Sequence, residues 1–392
     1  MHAEPVHRRV GLVSRAMLVA KGLLVSGVTI VALWCLCEAV LRLGFDGLSP
    51  PVRIAYREIG ETYAPSRGGL LYDPETRRAV PVRFNALGFR GPDRPERKPA
   101  GVRRVAVIGD SMVAGIAVPE PETMCGVLET LLNAAGGPHV EVMNFGVAGS
   151  SPAQELALYR GLVRRFAPDV VVLAFFSGND LSDMLYEISD RYPNRIYVDL
   201  DATGTLRPRE YVGSTAVRRV LSRSRVYGWL RYVIARSTYH VHRLRDGFLP
   251  SALGYLPDGD PRAEKAWALL GAVVGELAAS VRADGAELVV LLIPSGIEIY
   301  PPGVEGLREW AGRPFADALD LDVHERQWPR VTERLGVALV PLKPAFVAAG
   351  AGGGDPLYFE LRGHLTERGH RLAAEILAER LRGLLADTKM AK

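Results

Sequence analysis

The sequence predicts an α/β protein: a parallel sheet with helices on both faces, preceded by a membrane-crossing helix. Three observations predict it. From Val102 to Leu385, short apolar runs alternate with helix-length stretches. The strongest run, Asp169–Phe176 (Asp-Val-Val-Val-Leu-Ala-Phe-Phe), is β-branched-rich and apolar at consecutive positions, as in parallel sheets covered on both faces. Near the N-terminus, the apolar stretch from Met17 to about Gly44 is long enough to span a bilayer as a helix.

Taken in order, His7, Arg8, Arg9, Arg15 and Lys21 precede the apolar core of that first helix, Gly22 to Cys37. A basic flank on this side places the N-terminus in the cytoplasm and the remainder outside it, although Arg42, Arg53 and Arg57 follow the segment. Lys21 and Glu38 lie near its ends, where a charge reaches the headgroups. A cleaved signal peptide and a buried core helix are the alternatives. Cys37-Glu38-Ala39 is a poor small-residue cleavage site, which favours an uncleaved anchor over residues 1–45. Residues 46–101 form a juxtamembrane connector with the turn-rich piece Asn85-Ala86-Leu87-Gly88-Phe89-Arg90-Gly91-Pro92. The main domain, 102–386, then begins. Strands are predicted at 104–108, 140–144, 169–176, 287–293 and 337–340. Helices are predicted at 122–133, 152–166, 262–283, 324–335 and 366–385. The result is a doubly wound, flavodoxin-like sheet of five parallel strands. A partly helical insertion at about 181–260 interrupts it, and 387–392 are a tail.

The bulk properties narrow the function classes. With 392 residues, 48% hydrophobic and 23% charged, the chain is not a disordered one. Three cysteines, Cys35, Cys37 and Cys125, make no disulfide framework. The insertion interleaves arginines (Arg207, Arg209, Arg218, Arg219 and others) with Tyr211, Tyr227, Trp229, Tyr232 and Tyr239. That pattern suits an anionic lipid or polysaccharide surface or a solvated cap; an extracytoplasmic site argues against nucleic acid. His240 and His242 flank Val241, but no metal cluster and no cofactor motif is expected.

Acyl transfer needs a nucleophile, a base and donors for an oxyanion. Gly109-Asp110-Ser111 ends the first main-domain strand, so Ser111 is the candidate nucleophile. Asn144-Phe145-Gly146-Val147-Ala148-Gly149-Ser150 follows the second strand, where glycine permits close backbone approach to a ligand, and Ser177-Gly178-Asn179-Asp180 follows the third. All three fall at C-terminal strand ends, one edge of a parallel sheet, where such folds bind ligands. Each alone is ordinary: Gly-Asp-Ser is commonly a turn and an Asn after a strand commonly a cap. His364 and His370 border the start of the last helix, and His364 is the candidate base.

These residues resemble the SGNH (GDSL-type) hydrolases. Gly109-Asp110-Ser111 looks like the first block of that family, Gly149 the glycine of the second, Gly178-Asn179-Asp180 the third and His364 with Gly369-His370 the last. The resemblance covers roughly Arg83 to Leu385. It implies Ser111 as nucleophile, His364 as base, and Gly149 and Asn179 as oxyanion donors. It also implies an aspartate two or three residues before the histidine; Leu361 and Arg362 stand there instead. Glu360 is the substitute acid, with Asp355 a more remote candidate and a Ser111–His364 dyad a further option.

The expected activity is that of an extracytoplasmic serine esterase, removing a short acyl group, acetyl for preference, from a cell-surface glycan or lipid through an acyl-enzyme. An O-acyltransferase working with partners in surface-polysaccharide assembly, and a catalytically weak glycan-binding module, are the competing readings.

Overall fold

The computed structural model describes residues 5–44, 53–56, 58–73, 78–115, 117–186, 195–209, 221, 224–230, 250–300, 317–359 and 363–387. Helix α1 (Pro5–Gly44) begins earlier than the apolar run alone requires, because its basic first turns carry no helix breaker after Pro5. In its segment Met17–Leu43, 27 residues of mean hydropathy 2.2, no residue is buried against the rest of the chain. At 1.5 Å per residue it is about 40 Å long, more than the hydrocarbon core of a bilayer. The helix Pro261–Ala283 is also long and apolar, but it is half buried in the domain and is a core helix.

Two short hairpins follow, β1 (Arg53–Tyr56) with β2 (Gly60–Tyr63) and β3 (Gly68–Asp73) with β4 (Arg78–Arg83). Beyond them the stretch to residue 101 packs onto the main domain. Phe89 and Arg90 are buried, and Arg90 donates to the carbonyls of Gly115 and Val118 at 2.8 and 3.1 Å.

The central sheet has five strands: β5 (Arg103–Gly109), β6 (Val140–Gly146), β7 (Val170–Phe176), β10 (Glu287–Ile293) and β11 (Ala338–Pro341). Their order is β11-β10-β7-β5-β6 and every pairing is parallel. This is the predicted doubly wound topology, with the order reversing at β5. Strand residues are buried on both faces because the pleat sends alternate side chains to two cores. Ala106 and Ile108 join one core with α4 (Pro152–Gly161) and the helix Pro261–Ala283. Val105 and Val107 join the other with α3 (Met124–Ala134) and the helix Glu367–Asp387.

The helix starts follow from local chemistry. Thr123 accepts from the Gly126 N–H, and Asp260 accepts from the Arg262 N–H ahead of Pro261 at the first helical position. The predicted helix at 152–166 divides in two, α4 and a 3₁₀ turn at Val163–Phe166, where Leu162 leaves helical geometry. Lys343–Ala351 is a helix that the sequence reading does not contain. Within the insertion, β8 (Val198–Leu200) pairs with β9 (Leu206–Pro208), and residues 225–230 are helical. The Glu38 carboxylate of α1 accepts from the Ser224 hydroxyl at 2.8 Å and from the N–H groups of Arg225 and Val226, and Arg225 donates to the Leu41 carbonyl. Most of the insertion's other arginines, and the His240 and His242 pair, lie outside the described residues.

Candidate active site

Ser111 sits on the turn that leaves β5. Asp110 caps the following α2 (Ser111–Ala114) by accepting from the Met112 N–H at 2.8 Å, which fixes the backbone around the serine. Gly109 is obligatory there: a Cβ would lie 2.5 Å from Val113 Cγ2 and 2.9 Å from the Ala174 carbonyl oxygen. Close packing of the turn on β7 therefore selects the first residue of the tripeptide.

The last segment of the chain brings the candidate base, His364, to this turn. Phe359 N–H donates to the His364 carbonyl at 2.8 Å and Gly363 N–H to the Phe359 carbonyl at 2.9 Å. Gly363 has φ 65°, which only glycine adopts without strain. Thr366 then caps the last helix by accepting from the Gly369 N–H at 3.2 Å. This holds the His364 Nε2 at 3.0 Å from Ser111 Oγ, across the width of the domain in sequence. His370 takes no part. It is buried, accepts from the Met124 N–H through Nδ1 at 3.2 Å, and burial pushes its pKa down to about 3. His370 is a neutral core residue that ties the last helix to the start of α3. Glu360, with Leu361 and Arg362, lies outside the described residues, and Asp355 is exposed.

Ser111 Oγ also lies 3.2 Å from Asp110 Oδ2. A hydroxyl has one proton, so it serves either His364 or Asp110 at a given moment. Burial raises the Asp110 pKa to about 6, and the nearby Asp183 charge pushes the same way, while the Met112 N–H opposes them. Two further carboxyls, Glu155 and Asp180, are fully buried close by, and burial together with the Asp110 charge raises both well above the usual carboxylate range. These acids stand at the first turns of α4 and of α5 (Asp180–Asp183). In the sequence they look like ordinary helix-start residues, so nothing there marks them as one buried group.

Gly149 lies in the turn after β6 with φ 75°. The preceding Ala148 N–H donates to the Tyr63 hydroxyl at 3.1 Å, so β2 supports this turn from outside the sheet. Asn179 lies in the turn after β7, and its Nδ2 donates to Asp183 Oδ2 at 2.8 Å. One layer deeper, Tyr255, Ser295 and Ser177 converge on Glu298, with Tyr255 donating at 2.8 Å, which joins the ends of β7 and β10. The arrangement thus has a hydroxyl in hydrogen-bond contact with an imidazole, beside two turns bearing N–H donors, at the C-terminal edge of the sheet. That is the equipment of nucleophilic acyl chemistry. Among the described residues, no group of His, Cys, Asp or Glu is arranged to hold a metal ion.

Solved structures similar to this chain include TesA, at 17% identity and TM-score 0.38, covering 72% of this chain and 99% of its own. They also include a lipase/acylhydrolase from Enterococcus faecalis, at 15% identity and TM-score 0.38, covering 72% and 96%. A third is an acetylxylan esterase from Geobacillus stearothermophilus, at 13% identity and TM-score 0.38, covering 71% and 94%. No curated protein sequence matches the chain. The sequence profile of the GDSL-like Lipase/Acylhydrolase family matches residues 107–372, more than half of the chain, including Ser111, Gly149, Asn179 and His364. The chain belongs to the GDSL-like lipase/acylhydrolase family.

Proposed function

We propose that this protein is a membrane-anchored serine esterase that removes a short acyl group, acetyl for preference, from a glycan or lipid outside the cytoplasm. The observation that carries the esterase reading is the 3.0 Å contact between Ser111 Oγ and His364 Nε2. Ser111 attacks the ester carbonyl while His364 takes its proton at Nε2. The carbonyl oxygen becomes an oxyanion, met by the Gly149 N–H and the Asn179 amide. On collapse, His364 returns the proton to the departing alkoxide, leaving an acyl-Ser111 ester. Water, deprotonated by the same imidazole, then releases the carboxylic acid. Glu360 is our candidate for orienting His364; the hydrogen bonds between Phe359, Gly363 and His364 close the backbone on either side of it.

The anchor reading draws on the unburied apolar α1, the basic flank before it and the use of Glu38 by residues 224–226. An acyl group on a surface polymer or lipid is the substrate class such tethering suits. Hydrolysis of p-nitrophenyl acetate by the full chain in detergent tests the chemistry. Ser111→Ala is expected to lower kcat/KM by at least about 10⁴-fold and to abolish labelling by a fluorophosphonate. A Ser111→Ala protein as active as the parent rules the mechanism out.

A further inference from the structure

The amide of Asn179 has two ends of nearly equal shape, and only Nδ2 donates. Turned over, it would present Oδ1, an acceptor, to a developing negative charge. Something must distinguish the two ends. Asn179 Oδ1 is buried and has no hydrogen-bond partner among the described residues, so the oxygen end fixes nothing. The nitrogen end is fixed: Nδ2 donates to Asp183 Oδ2 at 2.8 Å. A carboxylate accepts only, so it selects the amide orientation with nitrogen towards it. The backbone closes the same loop, with the Asp183 N–H and the Ser182 hydroxyl both donating to the Asn179 carbonyl at 2.8 Å. One Nδ2 hydrogen is used in this way, and the second has no acceptor among the described residues.

A bare carboxylate beside an oxyanion site would oppose the charge forming there. Arg195 answers this. Its guanidinium Nη1 lies 3.1 Å from Asp183 Oδ1 and its side chain is only 5% exposed. The pair is close to neutral as a unit, and the buried, planar guanidinium holds the carboxylate's direction. Arg195 belongs to the insertion, outside the regular βα units.

We propose that Asp183, held by Arg195, is a positioning residue that aims one amide hydrogen of Asn179 at the oxyanion, so that the insertion completes the acyl-transfer site. This rests on the esterase reading given above and adds to it a pair of residues that act only through Asn179.

A double-mutant cycle on the full chain in detergent, with p-nitrophenyl acetate, tests it. Asn179→Ala is expected to lower kcat by about 10²- to 10³-fold, as for loss of an oxyanion donor. Asp183→Ala is expected to lower kcat by about 10- to 100-fold with KM changed less than about twofold. In the Asn179→Ala background, Asp183→Ala should cost less than about twofold further, because there is no amide left to aim. Arg195→Gln, which keeps the carboxylate, supplies the same cycle with smaller losses if Asp183→Ala does not fold. Equal losses with and without Asn179, or a change confined to KM, overturn the positioning role while leaving the esterase reading intact. An Asn179→Ala protein with undiminished kcat overturns the oxyanion role of Asn179 and the positioning role with it, whereas the esterase reading itself falls only if Ser111→Ala keeps its activity.

Discussion

The two ends of the central sheet handle buried charge in opposite ways. At the N-terminal ends of the strands, Arg104 is fully buried and thoroughly matched. Its Nε donates to Glu141 at 2.8 Å, and its two Nη groups donate to the carbonyls of Pro95, Glu96 and Phe166 at 2.7 to 2.9 Å. Asp169 beside it accepts from Lys98, Arg103 and the Arg104 N–H at 2.9, 3.0 and 2.7 Å. At the C-terminal ends, Asp110, Glu155 and Asp180 are just as buried, yet none of them forms an ion pair among the described residues. Their pKa values rise in consequence. One end matches buried charge with opposite charge, while at the other burial raises the acids' pKa values with no cationic partner among the described residues. The first arrangement fixes structure, since nothing in it is free to change. The second gathers titratable groups around Asp110, next to the proposed nucleophile Ser111, the pattern expected where chemistry is done.

The contrast can be broken first at its matched end. Arg104→Met leaves Glu141 Oε2 and the carbonyls of Pro95, Glu96 and Phe166 without the Arg104 donor, and should destabilise the fold by about 3–5 kcal/mol. Chemical denaturation measures this. The surviving folded fraction should still react with a fluorophosphonate at Ser111, because the two ends are separate. Loss of labelling in folded protein would show that they are coupled.

At the other end, the expected sign is reversed. A folded-state pKa raised above the unfolded value means that the folded protein holds more protons in that window, so stability falls as pH rises through it. For Glu155 the window opens near the ordinary carboxylate value of about 4.3 and extends upward, as the direction of its shift requires. Glu155→Gln keeps the shape and removes the titration. It should raise stability at pH 8 by about 1 kcal/mol or more, with the gain vanishing towards pH 4. Equal Tm gains at both pH values would mean that the side chain is not titrating. The smallest effect belongs to the outer support: Tyr63→Phe removes the acceptor of the Ala148 N–H and should cost about 1 kcal/mol.

The sheet was legible in the sequence because its strands are buried on both faces, and Val170–Phe176 or Glu287–Ile293 has no other use for so many consecutive apolar residues. Elements with less to bury were less legible. The hairpins at 53–83 are short and partly charged. Lys343–Ala351 is a run of small residues without helical periodicity. At the candidate site, Ser111, Asn179 and His364 could be singled out because each follows a strand or precedes a helix at a recognisable break, while Gly149 was singled out by the family resemblance. Asp183 was missed although it stands four residues after Asn179, within reach along a single helical turn. Arg195 could not be found from spacing, because its contact with Asp183 depends on how the chain returns from the insertion. Of the two histidines near the end, sequence position favours His364 only weakly. What separates them is burial: one ring faces a hydroxyl, and the other is enclosed by core.

The contact between Glu38 and residues 224–226 bears on how the protein can be handled. The apolar N-terminal helix is more than a leash, since its Glu38 carboxylate accepts from the Ser224 hydroxyl and two backbone N–H groups of the insertion. Trimming the chain after Gly44 to obtain a detergent-free enzyme would strip those donors of their acceptor. The same insertion carries Arg195, the ion-pair partner of Asp183. Under the function proposed above, a truncated form is expected to lose esterase activity along with its apolar helix, which p-nitrophenyl acetate hydrolysis by the full and trimmed chains measures.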